Sequence, residues 1–434
     1  MYDLAIIGAG WAGFNAALKA KELGLKVCLI EKAQIGGTCL NLGCIPTKTL
    51  IQSAKLYALT KKAENFGVEV LAPKVNLNKV QERKDRLIQQ LGSGMQFMLK
   101  GVDFLNAEAK IISNDEIKVD SKPVKTKNIL IACGSKPTCL PGFEFDGKTI
   151  VSSNEILNLK EIPASLLIIG GGVIGCEFAS LFSILGSSVT IIEKMPQLLP
   201  GEDKEIARKI EAVFKKKGIK VNTNAPALQI DPKDYSLTLV CVGRAPKTEG
   251  LGLENIGIKL EKNRILVDEY LRTNIPNIYA AGDCTGKTML AHYAAYQGEV
   301  AAENIANASC RKKADNSVVP NCIFTDPEIA SVGINEETAK NKGVDISINK
   351  FDFLGSGMAR IQDETDGFIK VISDKNSEEI IGAFIIGPKA TELIAILSLA
   401  ISTRLKISQI RNTIFAHPTL SESISEAAKR CHAV

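Results

Sequence analysis

The sequence predicts an α/β protein built of two doubly wound, Rossmann-like units and a smaller C-terminal α+β domain. Three observations predict it. Residues 1–32 run strand, glycine turn, helix and second strand, and end on an acid. The same unit returns in the same register at 166–194. From Val318 the glycine turns stop, and short strands with turns take over, followed by two helical stretches.

The first unit opens with the apolar strand Leu4–Ile7, then Gly8-Ala-Gly10-Trp-Ala-Gly13, a helix to about Leu23, and a strand Lys26–Ile30 ending at Glu31. In such a unit the first glycine permits a tight turn, the second lets backbone approach a pyrophosphate, and the third lets helix pack on strand. The helix N-terminus faces the phosphates, and the acid accepts from a ribose hydroxyl. Laid over the second unit without a gap, Gly8, Gly10 and Gly13 fall on Gly170, Gly172 and Gly175, Gly24 on Gly186, and Glu31-Lys32 on Glu193-Lys194. Two copies, each with its acid at one offset, read as two dinucleotide-binding domains.

Between them lies Gly36–Lys48, with Cys39 and Cys44 five residues apart. That spacing is slightly over one helical turn, so both sulfurs can reach one side of a tight turn. Pro46 marks where a helix can begin, and a helix N-terminus stabilises a thiolate at Cys44. Lys48 lies one turn further on the same face. The pair reads either as a redox-active disulfide or as two unrelated buried thiols.

The rest of the chain follows in order. Helix continues over Lys48–Lys62, and a long, charged, partly exposed helix covers Asn78–Lys100. Phe104–Val119 and Val124–Ile131 alternate as strands, Ala132–Pro137 is a turn, and Pro141–Leu159 is linker-like. Asp203–Lys217 is an amphipathic helix, Leu237–Val242 a short strand, and Ala291–Ala306 a helix. Asp283 ends a strand–glycine–acid run, either to hold a polyol or ribose hydroxyl or to cap a turn. The last domain carries strands at Cys322–Phe324, Lys350–Phe353, Phe368–Ser373 and Ile380–Ile386, and helices at Thr391–Ser402 and Leu420–Arg430. Its His417 and Glu422, five apart, read either as a base oriented by a carboxylate or as a surface turn with a helix cap at Thr419 or Ser421. The apolar runs Ile380–Ile386 and Leu393–Ile401, in a domain without a nucleotide fingerprint, point to packing against a partner.

Composition narrows the class. The chain is 45% hydrophobic and 23% charged, an ordinary globular balance, and its net charge of +5 over 434 residues does not call for nucleic acid. No apolar run reaches the length of a membrane span, and no metal site is read. The eleven cysteines, an odd number scattered through apolar segments, do not form a secreted disulfide framework and suit a reducing compartment. The first strand opens at Tyr2, so the expectation is a cytoplasmic protein or the mature form of an imported one. Any histidine base is His292, His417 or His432.

Five stretches in order, Gly8–Gly13, Gly36–Lys48, Gly170–Glu177, Tyr279–Asp283 and His417–Glu422, resemble the flavin-dependent pyridine-nucleotide disulfide oxidoreductases over essentially the whole chain. Gly37–Lys48, Met289–His292 and Val242–Leu253 are most similar to the lipoamide-using branch. The resemblance implies FAD and NAD as cofactors. It places FAD-binding residues at 1–145 and 272–312, NAD-binding residues at 146–271, and a dimerisation domain at 318–434. The first fingerprint, Glu31 and Lys32 would hold the adenosine side of FAD, and Asp283 its ribityl or phosphate region. Thr38, Lys48, Ala109 and Met289, Leu290, Ala291 and His292 would also touch FAD, His292 through backbone and not as the base. Cys44 would lie against the flavin as the charge-transfer thiolate, and Cys39 would exchange with substrate sulfur. Lys48 would pair with Glu177. Gly170, Gly172, Gly175, Glu193 and Gly243 would hold NAD, and His417, oriented by Glu422, would be the acid/base.

The implied activity is oxidation of protein-bound dihydrolipoamide with NAD⁺ by a homodimer that serves lipoyl domains of 2-oxo acid dehydrogenase or glycine cleavage complexes. The alternative is another flavin disulfide reductase, of the glutathione or mercuric kind. Three features depart from the family pattern. Val221–Val240 has room for little more than a hairpin where a longer meander is usual, Cys133 replaces a threonine, and the single tryptophan, Trp11, sits in the first glycine turn.

Overall fold

The structure is a computed structural model and describes residues 1–307 and 309–429, with the backbone of 431 and 432. The chain forms two compact units: Met1–Gly147, Val151–Glu161 and Val242–Asn316 in one, Lys148–Ile150, Ile162–Cys241 and Ser317–Val434 in the other.

The first unit begins with β1 (Tyr2–Ile7), α1 (Trp11–Glu22) and β2 (Val27–Glu31), then α2 (Gly37–Leu42), α3 (Cys44–Lys61) and α4 (Leu77–Met98). After α4 come β3 (Asp103–Asn106), β4 (Ala109–Ile111), β5 (Glu116–Val119), β6 (Lys122–Ile131) and β7 (Ser135–Pro137). The strands order as β3-β2-β1-β6-β5-β4, with β1 parallel to both β2 and β6. Side chains alternate along a strand. Leu4 and Ile6 therefore join Ala16, Ala17 and Ala20 of α1 in one core, while Ala5 and Ile7 join Ile129 and Ile131 in another. A parallel strand buried on both faces has to be apolar throughout, which is why Leu4–Ile7 reads as a continuous run. The long run expected at Phe104–Val119 is instead three short strands, two of them in an antiparallel meander with β6.

The second unit repeats the pattern. Its sheet and helices are β8 (Ile150–Val151, which begins in this unit), β9 (Ser165–Ile169), α5 (Val173–Leu185), β10 (Ser188–Ile192), α6 (Lys204–Lys216), β11 (Lys220–Asn222) and β12 (Leu237–Val240). Their order is β11-β10-β9-β12-β8. The stretch between β11 and β12 is not a hairpin. Those strands lie on opposite sides of the β10–β9 pair, each parallel to its neighbour. All four residues of β12 are buried beside β9, so the chain crosses the sheet there on two short 3₁₀ turns, Ala227–Gln229 and Pro232–Asp234. Ile150–Val151, read as linker, is a strand of this sheet.

The chain then returns to the first unit with β13 (Arg244–Pro246), β14 (Leu260–Glu261), β15 (Arg264–Ile265), β16 (Ile278–Ala280) and α7 (Ala291–Ala306). This corrects the expected boundary at 271. β13 pairs with β7, the expected turn, and Leu253, Ile258 and Ile265 pack into the first unit's core, so 242–271 belongs there. β16 adds a further parallel strand beside β6.

The remaining elements belong to the second unit: β17 (Asn321–Ile323), β18 (Glu328–Gly333), α8 (Glu336–Asn341), β19 (Ile346–Asp352), α9 (Gly357–Ile361), β20 (Phe368–Asp374), β21 (Ile380–Gly387), α10 (Ala390–Ser402), α11 (Ile407–Asn412), α12 (Glu422–Lys429) and β22 (Cys431–His432). The sheet is antiparallel in the order β17-β18-β21-β20-β19-β22. The apolar runs expected to meet a partner are largely this domain's own core: Ile380, Ala383 and Ile385 of β21 pack with Leu393, Ile394 and Leu397 of α10. No helix among the described residues is long and apolar enough to cross a membrane.

Candidate active site and nucleotide cradles

The two fingerprints fold alike because the same local chemistry closes both. Gly8 and Gly170 have φ of 105° and 107°, a region that favours glycine. A Cβ on Gly13 would fall 1.8 Å from the carbonyl oxygen of Gly8, and one on Gly175 would fall 2.0 Å from that of Gly170. Each helix thus starts tight against its strand. Gly10 and Gly172 are the N-caps of α1 and α5, and neither helix has a side-chain cap, which suits N–H groups that are to face an anion.

The acids are held by matching bonds. Glu31 Oε2 accepts the N–H of Ala9 at 2.8 Å and Oε1 that of Ala33 at 2.8 Å. Glu193 Oε2 accepts the N–H of Gly171 at 2.6 Å and Oε1 that of Met195 at 2.7 Å. The sequence repeat is therefore a repeat of hydrogen bonds. A carboxylate oxygen has a second lone pair for a ribose hydroxyl, so both cradles fit a dinucleotide. Beside the first lies a cavity lined by Gly8, Glu31, Lys32, Ala33, Ala109 and Cys133, which joins residues expected to hold the adenosine side of FAD.

Asp283 is built into this unit as well. Its Oδ2 accepts the hydroxyl of Ser135 at 2.5 Å, and Arg244 donates to that hydroxyl from Nε at 2.8 Å and to the Ser135 carbonyl from Nη2 at 3.0 Å. Ser135 and Arg244 were not singled out from sequence. Ser135 sat in what read as a turn, and the contacts join residues over a hundred positions apart. Met289 and Leu290 lead into α7, whose first residues are Ala291 and His292, with the His292 side chain exposed. Gly243 falls in the first unit, where its carbonyl accepts the N–H of Thr138 at 3.0 Å.

Cys39 sits in α2, after Thr38, and Cys44 is the first residue of α3. The helix therefore begins two residues before Pro46. Both cysteines are unbridged thiols, and the Cys39 thiol is in side-chain hydrogen-bond contact with Cys44. That contact and burial push Cys39 up, while Trp11 and then Lys48 pull it down. Cys44 lies at the N-terminus of an eighteen-residue helix, with Lys48 one turn along. The structure brings the two sulfurs together at the junction of α2 and α3, as thiols.

In the second unit Glu177 lies on α5, is 3% exposed, and accepts the N–H of Phe324 at 3.0 Å. His417 Nδ1 and Glu422 Oε1 are 2.8 Å apart. Glu422 Oε2 accepts the N–H of Thr419 at 2.8 Å, and Thr419 Oγ1 accepts that of Glu422 at 3.4 Å. The turn and the His417–Glu422 pair share one set of bonds. A reciprocal capping pair fixes the carboxylate, and the carboxylate orients the imidazole. The Thr419 N–H and then His417 hold Glu422 below the usual carboxylate range. The His417 side chain is 80% exposed, open to whatever approaches it.

Residues 2–298 match the model of the pyridine nucleotide-disulphide oxidoreductases, and residues 319–428 match that family's dimerisation domain. The chain belongs to this family, whose members use FAD and NAD(H). It is 41% identical to the dihydrolipoyl dehydrogenase of Geobacillus stearothermophilus, over 98% of this chain and 95% of that one. Among solved structures it is similar to LpdA from Mycobacterium tuberculosis, at 29% identity and a TM-score of 0.91, with 98% of each chain covered. The HOCl-induced flavoprotein disulfide reductase RclA from Escherichia coli follows at 30% identity and a TM-score of 0.88, with 99% of each covered.

Proposed function

We propose that this chain is a dihydrolipoamide dehydrogenase, oxidising dihydrolipoamide to lipoamide with NAD⁺ as a cytoplasmic or organelle-matrix homodimer. Its substrate arms are carried by lipoyl domains of 2-oxo acid dehydrogenase or glycine cleavage assemblies. The supporting observation is the Cys39–Cys44 contact at the head of α3, beside Lys48. The match of Gly37–Lys48 to the lipoamide branch and the names of the curated relatives give the substrate class.

The residues act as follows. With Cys39 and Cys44 joined as a disulfide in the oxidised enzyme, a substrate thiolate attacks Cys39 Sγ, a new S–S bond forms, the Cys39–Cys44 bond breaks, and Cys44 leaves as a thiolate stabilised by the α3 N-terminus and Lys48. His417, with Nδ1 engaged by Glu422, takes substrate protons at Nε2. The second substrate thiol then closes the substrate disulfide and releases Cys39. FAD, held by the first fingerprint, Glu31 and Asp283, supplies when bound the two-electron link between the dithiol and NAD⁺.

One assay matrix tests this: NADH and NADPH against lipoamide, glutathione disulfide and Hg²⁺. Turnover confined to NADH with lipoamide supports the reading. Turnover with glutathione disulfide or Hg²⁺ and none with lipoamide overturns it in favour of another flavin disulfide reductase.

A further inference from the structure

The two glycine turns match in their backbone bonds beyond the clamped acids. The Gly36 N–H donates to the Ala9 carbonyl at 2.8 Å, and the Leu199 N–H donates to the Gly171 carbonyl at 2.8 Å. The Ala132 N–H reaches the Ile7 carbonyl at 2.8 Å, and the Cys241 N–H reaches the Ile169 carbonyl at 2.9 Å. Side chains set the cradles apart. Phe14 and Ala132 of the first stand where Cys176 and Cys241 stand in the second. Cys176 Sγ donates to the Gly171 carbonyl at 3.3 Å, and Cys241 Sγ lies 3.3 Å from the Gly170 carbonyl oxygen and 3.4 Å from that of Ile169. Both sulfurs are buried, and burial above all holds both thiols over their ordinary range, so each keeps the proton it donates. The turns also differ in their cover. The first is backed by the start of α2, where a Cβ on Gly37 would stand 2.8 Å from the Gly10 Cα, whereas a Cβ on Gly172 would meet nothing within 4 Å.

We propose that Cys176 and Cys241 are positioning residues of the coenzyme cradle, whose thiols hold the two peptides of the second glycine turn so that the Gly172 N–H and Glu193 are aimed before the dinucleotide arrives. This rests on the reading that the second fingerprint holds NAD. Both peptides are trans, so each N–H points opposite its carbonyl. The Gly171 carbonyl, bound by Cys176 and Leu199, turns the Gly172 N–H the other way, and that N–H has no acceptor among the described residues. It is the group a pyrophosphate oxygen would take. The Gly170 carbonyl, bound by Cys241, turns the Gly171 N–H onto Glu193 Oε2 at 2.6 Å, and that carboxylate is the acceptor for a ribose hydroxyl. One thiol thus serves the phosphate end and the other the ribose end. The second turn needs this more than the first. It has three glycines in a row, 170–172, where the first has Ala9 between Gly8 and Gly10, and glycine has the most backbone freedom to lose. Ordering the turn from beneath removes that loss from the binding step.

Isothermal titration of NAD⁺ into the oxidised, flavin-loaded enzyme reads the cradle without turnover. Cys176→Ala and Cys241→Ala should each weaken NAD⁺ binding about threefold, and the double variant about tenfold, the scale of lost neutral hydrogen bonds, with flavin content unchanged. Serine adds little volume to alanine and restores a donor, so Cys176→Ser and Cys241→Ser should bind NAD⁺ more tightly than their alanine counterparts. Wild-type affinity in the alanine double variant, or equal affinity in the serine and alanine variants, overturns the proposal. Should the variants fail to fold, infrared difference spectra of the wild type decide. A phosphate on the Gly172 N–H polarises the peptide that Cys176 holds, so NAD⁺ should shift an S–H stretching band to lower frequency; an unshifted S–H region at saturating NAD⁺ overturns the proposal. Glu193→Ala separates this inference from the reading beneath it. If Glu193→Ala weakens NAD⁺ and the cysteine variants do not, the positioning role alone falls; if Glu193→Ala also leaves NAD⁺ binding unchanged, the second fingerprint is not the NAD site and both fall. NAD⁺ binding needs no dithiol, so absent lipoamide turnover counts against the proposed substrate alone.

Discussion

Glu193 and Glu31 are each clamped by two backbone N–H groups, one from the glycine turn and one from two residues beyond the acid. The carboxylate is therefore aimed before any coenzyme arrives, and none of that ordering has to be supplied on binding. Glu193, 7% exposed, offers an acceptor to a ribose hydroxyl and a like charge to a 2′-phosphate. The expected outcome is a kcat/KM for NADH above that for NADPH by a factor of ten or more, about 1.4 kcal/mol. Equal values would count against Glu193 as the discriminator, and Lys194 is the neighbouring cation that could cause it. Glu193→Gln should narrow the ratio. The acids and glycines were legible in the sequence because each acts on backbone within its own βαβ unit. Ser135 and Arg244 were not, because each acquires its meaning from a partner in another element.

At the scale of elements, periodicity located the helices well: Ala291–Ala306 was read to the residue, and Asp203, read as the first residue of a helix, is its N-cap, accepting N–H groups of Glu205 and Ile206. Pairing was less legible. A short apolar run such as Leu237–Val240 shows that it is buried and says nothing about which strand lies beside it, which is how a parallel crossover passed for a hairpin. Lys370 was hidden in the same way. In Phe368–Ser373 a lysine looks like the polar half of an alternating strand, yet it is 1% exposed, with Nζ 2.7 Å from Asp203 Oδ2 and 2.7 Å from Glu336 Oε1. This ion cluster ties the cap of α6 to β20 and α8. Lys370→Met keeps the length and removes the charge, stranding a nearly buried carboxylate. It should cost about 3–5 kcal/mol in chemical denaturation. Adding Asp203→Asn, which retains a capping oxygen, should recover part of that loss through a non-additive cycle. Simple additivity would mean the two groups do not depend on each other.

For the whole molecule, the question is what completes the chemistry of the dithiol. The dimerisation domain carries no glycine fingerprint in its sequence, and its strongest apolar runs are its own core. Polar and apolar groups of this domain nevertheless remain exposed. His417 is 80% exposed, Ile414 is 97% exposed, and Leu399 on α10 is 63% exposed. An oriented acid/base left in solvent, in a domain that also leaves apolar side chains bare, suits a surface that a second copy covers, and an isologous interface would complete two equivalent sites with one patch. In an obligate homodimer of this kind, each His417 would serve the Cys39–Cys44 pair of the other subunit. His417→Ala should then lower dithiol turnover roughly 10²–10⁴-fold, the range for a lost acid/base, while FAD stays bound. Mixing Cys44→Ser with His417→Ala subunits under exchange conditions is the sharper experiment. In a heterodimer working in trans, one site collects both defects and the other collects neither, so activity should return. In a protein working in cis, each site keeps one defect, and activity stays lost however completely the subunits exchange. Recovery in proportion to the heterodimer measured by native mass spectrometry supports the trans arrangement, and an active monomer on sizing, or confirmed heterodimers without activity, rules it out.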